Sequence, residues 1–264
     1  MALDKEKVKN TVKNNFKISV EKYFEFESKY NFFYNLAVAL GNFLNIKANE
    51  KILDVGCGYG VSCKALTDKF KCVSIGIDLS DTMIEFGKKL YENIEFHIGD
   101  GEKLSDFYKH EEFDKVVYNA SIFIFPDTFH SFLDAKDILK CGGWLGFSHY
   151  PEIISVSGEN LFDIAFERAG YEKPRRKVIS TLETCMENLK KAGFDNLQKK
   201  DFSIKLDVDF LKKFFKIPAQ SASLFPKMPY EQRAENVDNL FETLRKEQGV
   251  ISWAMVKACK TSGN

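Results

Sequence analysis

No stretch of this chain is apolar for long enough to cross a bilayer as a helix, which takes about 20 such residues. The opening Met1-Ala2-Leu3-Asp4-Lys5-Glu6 is charged where a secretory leader would be apolar. Both absences predict a soluble, cytoplasmic protein without stable membrane insertion. Charge of a dominant sign is missing too, since 38 basic side chains are matched by 38 acidic ones. Proteins that hold nucleic acid through phosphate contacts concentrate positive charge, so the balance predicts no nucleic-acid partner. The six cysteines form no C-x-x-C pair, which suits reduced and largely buried thiols better than a disulfide framework. The four histidines lack metal-ligand spacing and no acid cluster suggests a magnesium site, so no metal is expected. Repeats and low-complexity tracts are lacking as well.

What is present is the material of a packed α/β protein. Hydrophobic residues make up 44% of 264 positions and charged residues 29%, enough for a sizeable core and without a signature of disorder. From Tyr23 to Leu44, large apolar residues including Phe26, Tyr30, Phe33, Ala37 and Leu40 recur every three or four positions, which predicts one helix face. Strand and helix patterns then alternate: 51–55 strand, 61–70 helix, 72–78 strand, 81–91 helix. Residues 94–98 and 113–119 read as strands and 129–139 as a helix, and Cys141-Gly142-Gly143 reads as a turn into the strand 144–148. Ser180 and Glu183 suggest a capping box for a helix over 182–192, with Gly193 as its stop. Two more strands are expected over 197–206 and 251–259. Such alternation predicts parallel βαβ units, whose ligands sit beyond the carboxyl ends of the strands. Between the last two strands, Phe210, Leu211, Phe214 and Phe215 share one helical face flanked by lysines. The stripe is similar to an interfacial membrane helix, but it suits a cap packed on the core better.

Gly56, Gly58 and Gly60 stand between the first strand and the following helix, where glycine permits a tight turn and lets a ligand approach the backbone. A dinucleotide fingerprint would read G-x-G-x-x-G. Here the third glycine comes one residue early and Asp54 precedes the turn. Leu53-Asp54-Val55-Gly56-Cys57-Gly58-Tyr59-Gly60 resembles instead the first motif of class I S-adenosylmethionine-dependent methyltransferases. Later landmarks fall in that family's order: Gly76-Ile77-Asp78-Leu79-Ser80 with Met83, Gly99-Asp100-Gly101-Glu102, the strand ending Tyr118-Asn119, and Leu139-Lys140-Cys141-Gly142-Gly143. The likeness is greatest to the broad group of quinone-biosynthesis and small-molecule methyltransferases. It implies an α/β, Rossmann-like fold with a seven-stranded, mostly parallel sheet, helices on both faces, and an antiparallel last strand. The expected segments are an N-terminal helical segment over 1–46, a cofactor-binding α/β domain over 47–206, a partly helical cap over 207–249, and a final strand and tail over 250–264. The implied cofactor is S-adenosyl-L-methionine, leaving as S-adenosyl-L-homocysteine. Its expected ligands are Asp54, Gly56, Cys57, Gly58, Asp78, Leu79, Met83, Asp100, Gly101 and Asn119. A carboxylate accepts from two vicinal hydroxyls at once, the ribose role that the resemblance gives Asp78. Asp54 would orient the turn or meet the cofactor's ammonium group, Met83 and Ile98 would wall the adenine, and Asp100 would accept from its amino group.

Methyl transfer from a sulfonium is an in-line displacement from an activated donor, so alignment and exclusion of water can do much of the work. A base is needed only where the acceptor must lose a proton. His149 and Tyr150, following the strand 144–148, are the catalytic candidates, although polar residues in a loop there need no such role. Asn119-Ala120-Ser121-Ile122 lacks the prolines of the Asn/Asp-Pro-Pro-aromatic tetrad common in amino- and nucleic-acid N-methyltransferases. Tyr23, Tyr30, Ser121, Phe123 and Phe214 are the candidates for the acceptor pocket, with Phe125 and Phe225 close by. The expected function is methyl transfer to a small, apolar or aromatic O, N, S or C acceptor by a monomer or homodimer. The alternatives are a protein methyltransferase and a cofactor-binding scaffold or activator subunit. Aminopropyl transfer would want more acids at the strand ends than this chain carries.

Overall fold

The computed structural model describes residues 4–174 and 178–261. Three helices come first: α1 (Lys5–Lys17), α2 (Val20–Tyr30) and α3 (Phe32–Phe43). Asp4 caps α1, its carboxylate accepting from the Lys7 amide at 3.1 Å. The single helix expected from Tyr23 to Leu44 is broken at Asn31, whose φ of 47° lies in the left-handed region that asparagine tolerates better than most residues. Buried Glu27 holds the break. Its carboxylate accepts from the amides of Phe33 and Tyr34 at 2.9 Å each, donors that the first turn of α3 would otherwise leave unpaired.

The sheet begins with β1 (Lys51–Val55), α4 (Val61–Phe70), β2 (Val73–Asp78), α5 (Asp81–Leu90) and β3 (Glu95–Ile98). It continues with β4 (Phe113–Tyr118), α6 (Thr128–Ile138) and β5 (Leu139–Ser148). These five strands are parallel, in the order β3-β2-β1-β4-β5. Next come β6 (Glu152–Ser155), α7 (Leu161–Ala169), α8 (Leu182–Lys191) and β7 (Asp195–Lys205). Helices α9 (Val208–Phe215), α10 (Pro218–Leu224) and α11 (Tyr230–Glu242) lead to β8 (Gly249–Cys259), which is antiparallel to β5, β6 and β7. All seven expected strands are present. The eighth, β6, is four residues long, too short for hydropathy alternation to signal it. It pairs with the first half of β8 (Glu152↔Ser252 to Ser155↔Gly249) while β5 pairs with the second half (Trp144↔Cys259 to Ser148↔Met255). β6 therefore continues the line of β5, and β7 takes the other side of β8.

Two local expectations are corrected. Cys141-Gly142-Gly143 is an irregularity inside β5 rather than a turn before it: the pairing shifts between Phe113 and Lys115, with Gly142 at φ 77°. The cap of α8 is Thr181, which accepts from the Thr184 amide at 3.2 Å, while the Ser180 hydroxyl donates to the Phe125 carbonyl at 2.9 Å.

Alternation along the strands divides the core. Leu53, Val116, Tyr118 and Phe147 pack against Phe132 and Ala135 of α6 and Leu189 of α8. Ile52 and Val117 face the opposite way, toward Leu40 and Leu44 at the end of α3 and Leu66 of α4. A third cluster joins Phe26 and Phe32 to Phe210, Phe215, Phe241 and Trp253, so the N-terminal helices and α9–α11 share one aromatic core. Each such fully buried side chain contributes about 1.5–3 kcal/mol through burial alone. No helix among the described residues is long and apolar enough to cross a membrane.

Candidate functional site

β1 ends at Val55 and the chain turns through Gly56-Cys57-Gly58-Tyr59-Gly60 into α4. The Gly56 and Cys57 amides donate to the Ile77 carbonyl at 2.8 and 3.1 Å, which hangs the turn on the end of β2. Gly56 has φ 71°, and a side chain there would put its Cβ 2.6 Å from that of Ser121. Around Gly58, at φ 56°, nothing lies within 4 Å of where a Cβ would stand, so a ligand can come against the backbone. Asp78, ending β2, accepts from the Gly58 amide through Oδ2 and from the Ser80 amide through Oδ1, at 2.8 Å each. Each oxygen keeps a lone pair for a ligand. Burial pushes this carboxyl up, against the pull of the two amides. Asp54 lies beneath the turn and is fully buried. Its Oδ2 accepts from the Cys63 thiol at 3.6 Å, and its Oδ1 has no partner among the described residues. Burial pushes the Asp54 carboxyl up to about 7.

Two adjoining cavities open along this edge. The first, open to solvent, spans about 640 Å³ and is lined by Asp78, Leu79, Gly99, Asp100 and Gly101 on the sheet side. Val12 and Phe16 of α1 line it from the other side. Three lysines four residues apart tie α1 down across the loops after β2, β3 and β4. Lys9 reaches Asp100 Oδ2 and Glu102 Oε2 at 2.7 Å each, Lys13 reaches Asp81 at 3.1 Å, and Lys5 pairs with Asp127. The second cavity, about 600 Å³, shares Phe16, Gly56 and Ala120 with the first. The turn, Ser62, Met83 and Asn119 line one part of it, and the rings of Tyr23, Phe33, Phe123, Phe214 and Trp253 line another. Gln220 of α10 also lines it and donates through Nε2 to the Tyr23 hydroxyl at 2.8 Å.

Residues 46–170 match the model of a methyltransferase domain family. That stretch, just under half of the chain, is what is similar to a methyltransferase domain. Phosphoethanolamine N-methyltransferase 1 of Zea mays is 31% identical over 60% of this chain and 30% of its own length. The chain thus spans about a third of the first curated relatives it matches. A malonyl-[acyl-carrier protein] O-methyltransferase of Acetivibrio thermocellus is 25% identical over 79% of this chain and 77% of its own length. Among solved structures, Haemonchus contortus phosphoethanolamine N-methyltransferase 2, in complex with phosphomonomethylethanolamine and S-adenosylhomocysteine, aligns with TM-score 0.57 at 17% identity. It covers 86% of this chain and 53% of that one. The [4+2]-cyclase SpnF aligns with the same TM-score at 19% identity, covering 87% and 82%. At such identities the likeness carries the fold alone, and one fold serving such different chemistries sends the question of activity back to the site.

Along this edge of the sheet the expected cofactor residues fall in two places. Gly56, Asp78, Leu79, Asp100 and Gly101 line the first cavity; Cys57, Gly58, Met83 and Asn119, with Gly56 again, line the second. Asp54 lines neither. Asn119 is spent on the protein: Nδ2 donates to Ser62 Oγ at 2.9 Å and to the Phe33 carbonyl at 3.2 Å, and Oδ1 accepts from Ser148 at 3.0 Å. Asp100 is engaged as well, by Lys9 and by the Glu102 amide at 3.0 Å. Ile98 is 47% exposed and lines neither cavity, so it does not wall a ligand.

Of the acceptor-pocket candidates, Tyr23, Phe123 and Phe214 line the second cavity. Tyr30 instead faces a separate lysine-rich hollow, and Phe225 packs against Phe166 and Tyr171. Ser121 lines the first cavity, with its hydroxyl donating to the Val55 carbonyl at 2.6 Å. The catalytic candidates are placed away from both cavities. His149 is buried, and its Nε2 meets the Ser180 carbonyl at 3.0 Å behind the Phe123 ring; burial holds its pKa below the usual range. The Tyr150 hydroxyl pairs with Ser223 at 3.3 Å, and burial pushes its pKa up. Sequence reasoning did not single out Lys9, Phe16, Phe33, Gln220 or Trp253. The spacing of Lys5, Lys9 and Lys13 on one helical stripe was the available signal for the first.

Proposed function

We propose that this chain transfers the methyl group of S-adenosylmethionine to a small acceptor held in the second cavity. The observation that carries the reading is the pair of adjoining cavities meeting at Gly56, one with fixed carboxylates, the other with aromatic rings. The residues fit the cofactor on three counts. Gly58 leaves open space at a bare backbone. The Asp78 oxygens are pre-oriented by two amides and suit vicinal hydroxyls. Asp54, buried beneath the turn and lining neither cavity, has no partner at Oδ1 among the described residues, so its carboxylate favours a cationic group at the turn through space, not by contact. In this reading Gly56, Cys57, Gly58, Asp78, Leu79, Asp100 and Gly101 hold the cofactor, and Met83 and Asn119 shape the passage between the cavities.

The bound cofactor supplies an electrophilic methyl group whose transfer leaves a neutral thioether. The chain's own part is to align and to exclude water. Phe16 lines both cavities, and Tyr23, Phe123 and Phe214 complete an apolar wall. Residues 4–46 and 207–249 act as covers, contributing Tyr23 and Phe33 from α2 and α3, and Phe214 and Gln220 from α9 and α10. The phosphobase acceptors named for the relatives need a cation for their phosphate. No lysine or arginine among the described residues lines the second cavity, so the acceptor proposed here carries no phosphate.

Calorimetric titration with S-adenosylmethionine and S-adenosylhomocysteine, beside an Asp78→Ala variant, tests this. Saturable binding to the wild type, weakened at least about tenfold in the variant through loss of charged hydrogen bonds, is expected. No binding of either compound by the folded wild type overturns the reading.

A further inference from the structure

We infer that the acceptor is an uncharged amine, which the second cavity orients by hydrogen bonding and does not deprotonate. The inference rests on the methyltransferase reading and narrows it to one substrate class. Two observations carry it. First, no Asp, Glu, His, Lys or Arg among the described residues lines this cavity. The titratable groups that do line it, Cys57, Tyr23 and Tyr59, are pushed up by burial and stay protonated near neutral pH, while His149 and Tyr150 are turned into the protein and paired there. A phenol, alcohol, thiol or carboxylic acid reacts as its anion, so it calls for a base or a cation that the lining does not supply. An amine brings its own lone pair. Second, the polar groups that do face the cavity suit an N–H. Gln220 spends its Nε2 on the Tyr23 oxygen at 2.8 Å, which leaves Gln220 Oε1 and the Tyr23 hydroxyl proton without partners among the described residues. Gln220 Oε1 accepts from the amine's N–H and turns the lone pair along the methyl axis. It is a positioning contact made directly to substrate.

The balance closes on groups already named. The amine nitrogen's lone pair forms the new N–C bond as the C–S bond of the sulfonium breaks, and that pair stays on sulfur. Positive charge passes from sulfur to nitrogen, and the ammonium loses its proton to water after release. Throughout the transfer the charge stays between ring faces, Tyr23, Phe33, Phe214 and Trp253 among them, whose quadrupoles favour a cation. An aromatic lining without carboxylates stabilises this moving charge without trapping the product as an ion pair.

The test uses the full chain with S-adenosylmethionine and probes sharing one phenyl group: phenethylamine, N-methylphenethylamine, 4-ethylphenol and 3-phenylpropionate, with phosphoethanolamine beside them. Methylation is read by mass. Turnover of the two amines is expected, with kcat/KM rising about tenfold per pH unit below the amine's own pKa and levelling above it. Gln220→Leu should raise KM for the amines about tenfold, the worth of one hydrogen bond to an otherwise dry site. It should leave the affinity for S-adenosylhomocysteine unchanged. Preferential methylation of the phenol, the carboxylate or phosphoethanolamine overturns the inference. So does a pH profile set by a group near neutrality, or binding of S-adenosylhomocysteine with no turnover of either amine. Failure to bind S-adenosylhomocysteine strikes at the cofactor reading instead, and the two failures are thereby kept apart.

Discussion

Replacing Lys9 by methionine removes one ammonium group and keeps the apolar stem. That ammonium sits 2.7 Å from Asp100 Oδ2 and 2.7 Å from Glu102 Oε2, with side chains 13%, 21% and 6% exposed respectively. Such a triad lies between exposed ion pairs, worth about 0–1 kcal/mol, and buried ones whose rupture costs about 3–5 kcal/mol. An intermediate loss of about 2 kcal/mol is expected, in part from leaving two carboxylates side by side. Since α1 covers the first cavity, the same loss shifts its closed-to-open balance by about thirtyfold. Lys9→Met should therefore release S-adenosylhomocysteine about ten to thirty times faster than the wild type, followed by stopped-flow fluorescence of Trp253 in the adjoining cavity. The unfolding midpoint should fall by about 2–4 °C. Sodium chloride, which screens partly exposed pairs, should quicken release from the wild type more than from the variant. Burial alone would lower the Lys9 pKa, but hydrogen bonds to Asp100 and Glu102 raise it above its ordinary 10.5. The Lys9 ammonium therefore stays charged across neutral pH, and its part in the latch is lost as pH climbs through that raised value. Unchanged release from a variant whose melting point has dropped would refute the latch and leave Lys9 a structural prop.

Asp54→Asn should be more stable than the wild type at pH 8. The folded pKa of about 7 lies above the ordinary 3.8, so the penalty for the charged carboxylate is absent below pH 3.8, grows between the two values, and is complete above pH 7. A gain of about 2–4 kcal/mol at pH 8, vanishing near pH 4, should appear in urea unfolding, and a variant weaker than the wild type at pH 8 would remove the argument. Gly56→Ala should lose about 2 kcal/mol or more and all measurable S-adenosylhomocysteine binding, because φ is positive and its Cβ would stand 2.6 Å from Ser121 Cβ. Gly142→Ala is its control, sharing the positive φ with nothing within 4 Å; it should cost only about 1 kcal/mol and leave calorimetric binding intact.

What was legible in the sequence was local. The turn from Asp54 to Gly60 announces itself because strand, turn and helix signals occupy adjacent residues, and Asp78 because an acid ends the next strand. The break at Asn31 was hidden, since a left-handed residue between two helices can leave the three-and-four spacing intact on either side. Contacts that span the chain were hidden for a different reason. Lys9 meets Asp100 across 91 positions and Gln220 meets Tyr23 across 197, and no periodicity records which distant residues a fold brings together. His149 misled through the two-residue period of a strand. It follows the right strand, but neither it nor its neighbour Ser148 lines a cavity; the Ser148 hydroxyl accepts from the Ala120 amide at 2.8 Å and donates to Asn119 at 3.0 Å, both residues of the second cavity's lining.

The division between the matched stretch and the remainder is also a division of labour. Every acid and glycine assigned to the cofactor lies within 46–170. Phe16, Tyr23, Phe33, Phe214, Gln220 and Trp253, which enclose the second cavity, all lie outside it. These covers are joined to each other. The Ala219 amide donates to Ser19 Oγ at 3.0 Å, Phe26 packs edge-on to Phe210 at 5.2 Å, and Phe16 stacks on Tyr23 at 5.6 Å. Lifting α1 from the first cavity therefore pulls on the ring stack that walls the second. Because Phe16 lines both, a ligand in either cavity that packs against it favours the closed arrangement for the other. By reciprocity, whatever affinity the acceptor gains from a bound cofactor the cofactor gains from the acceptor. Loosening the Ser19–Ala219 joint should then weaken that coupling while leaving each cavity's own contacts in place.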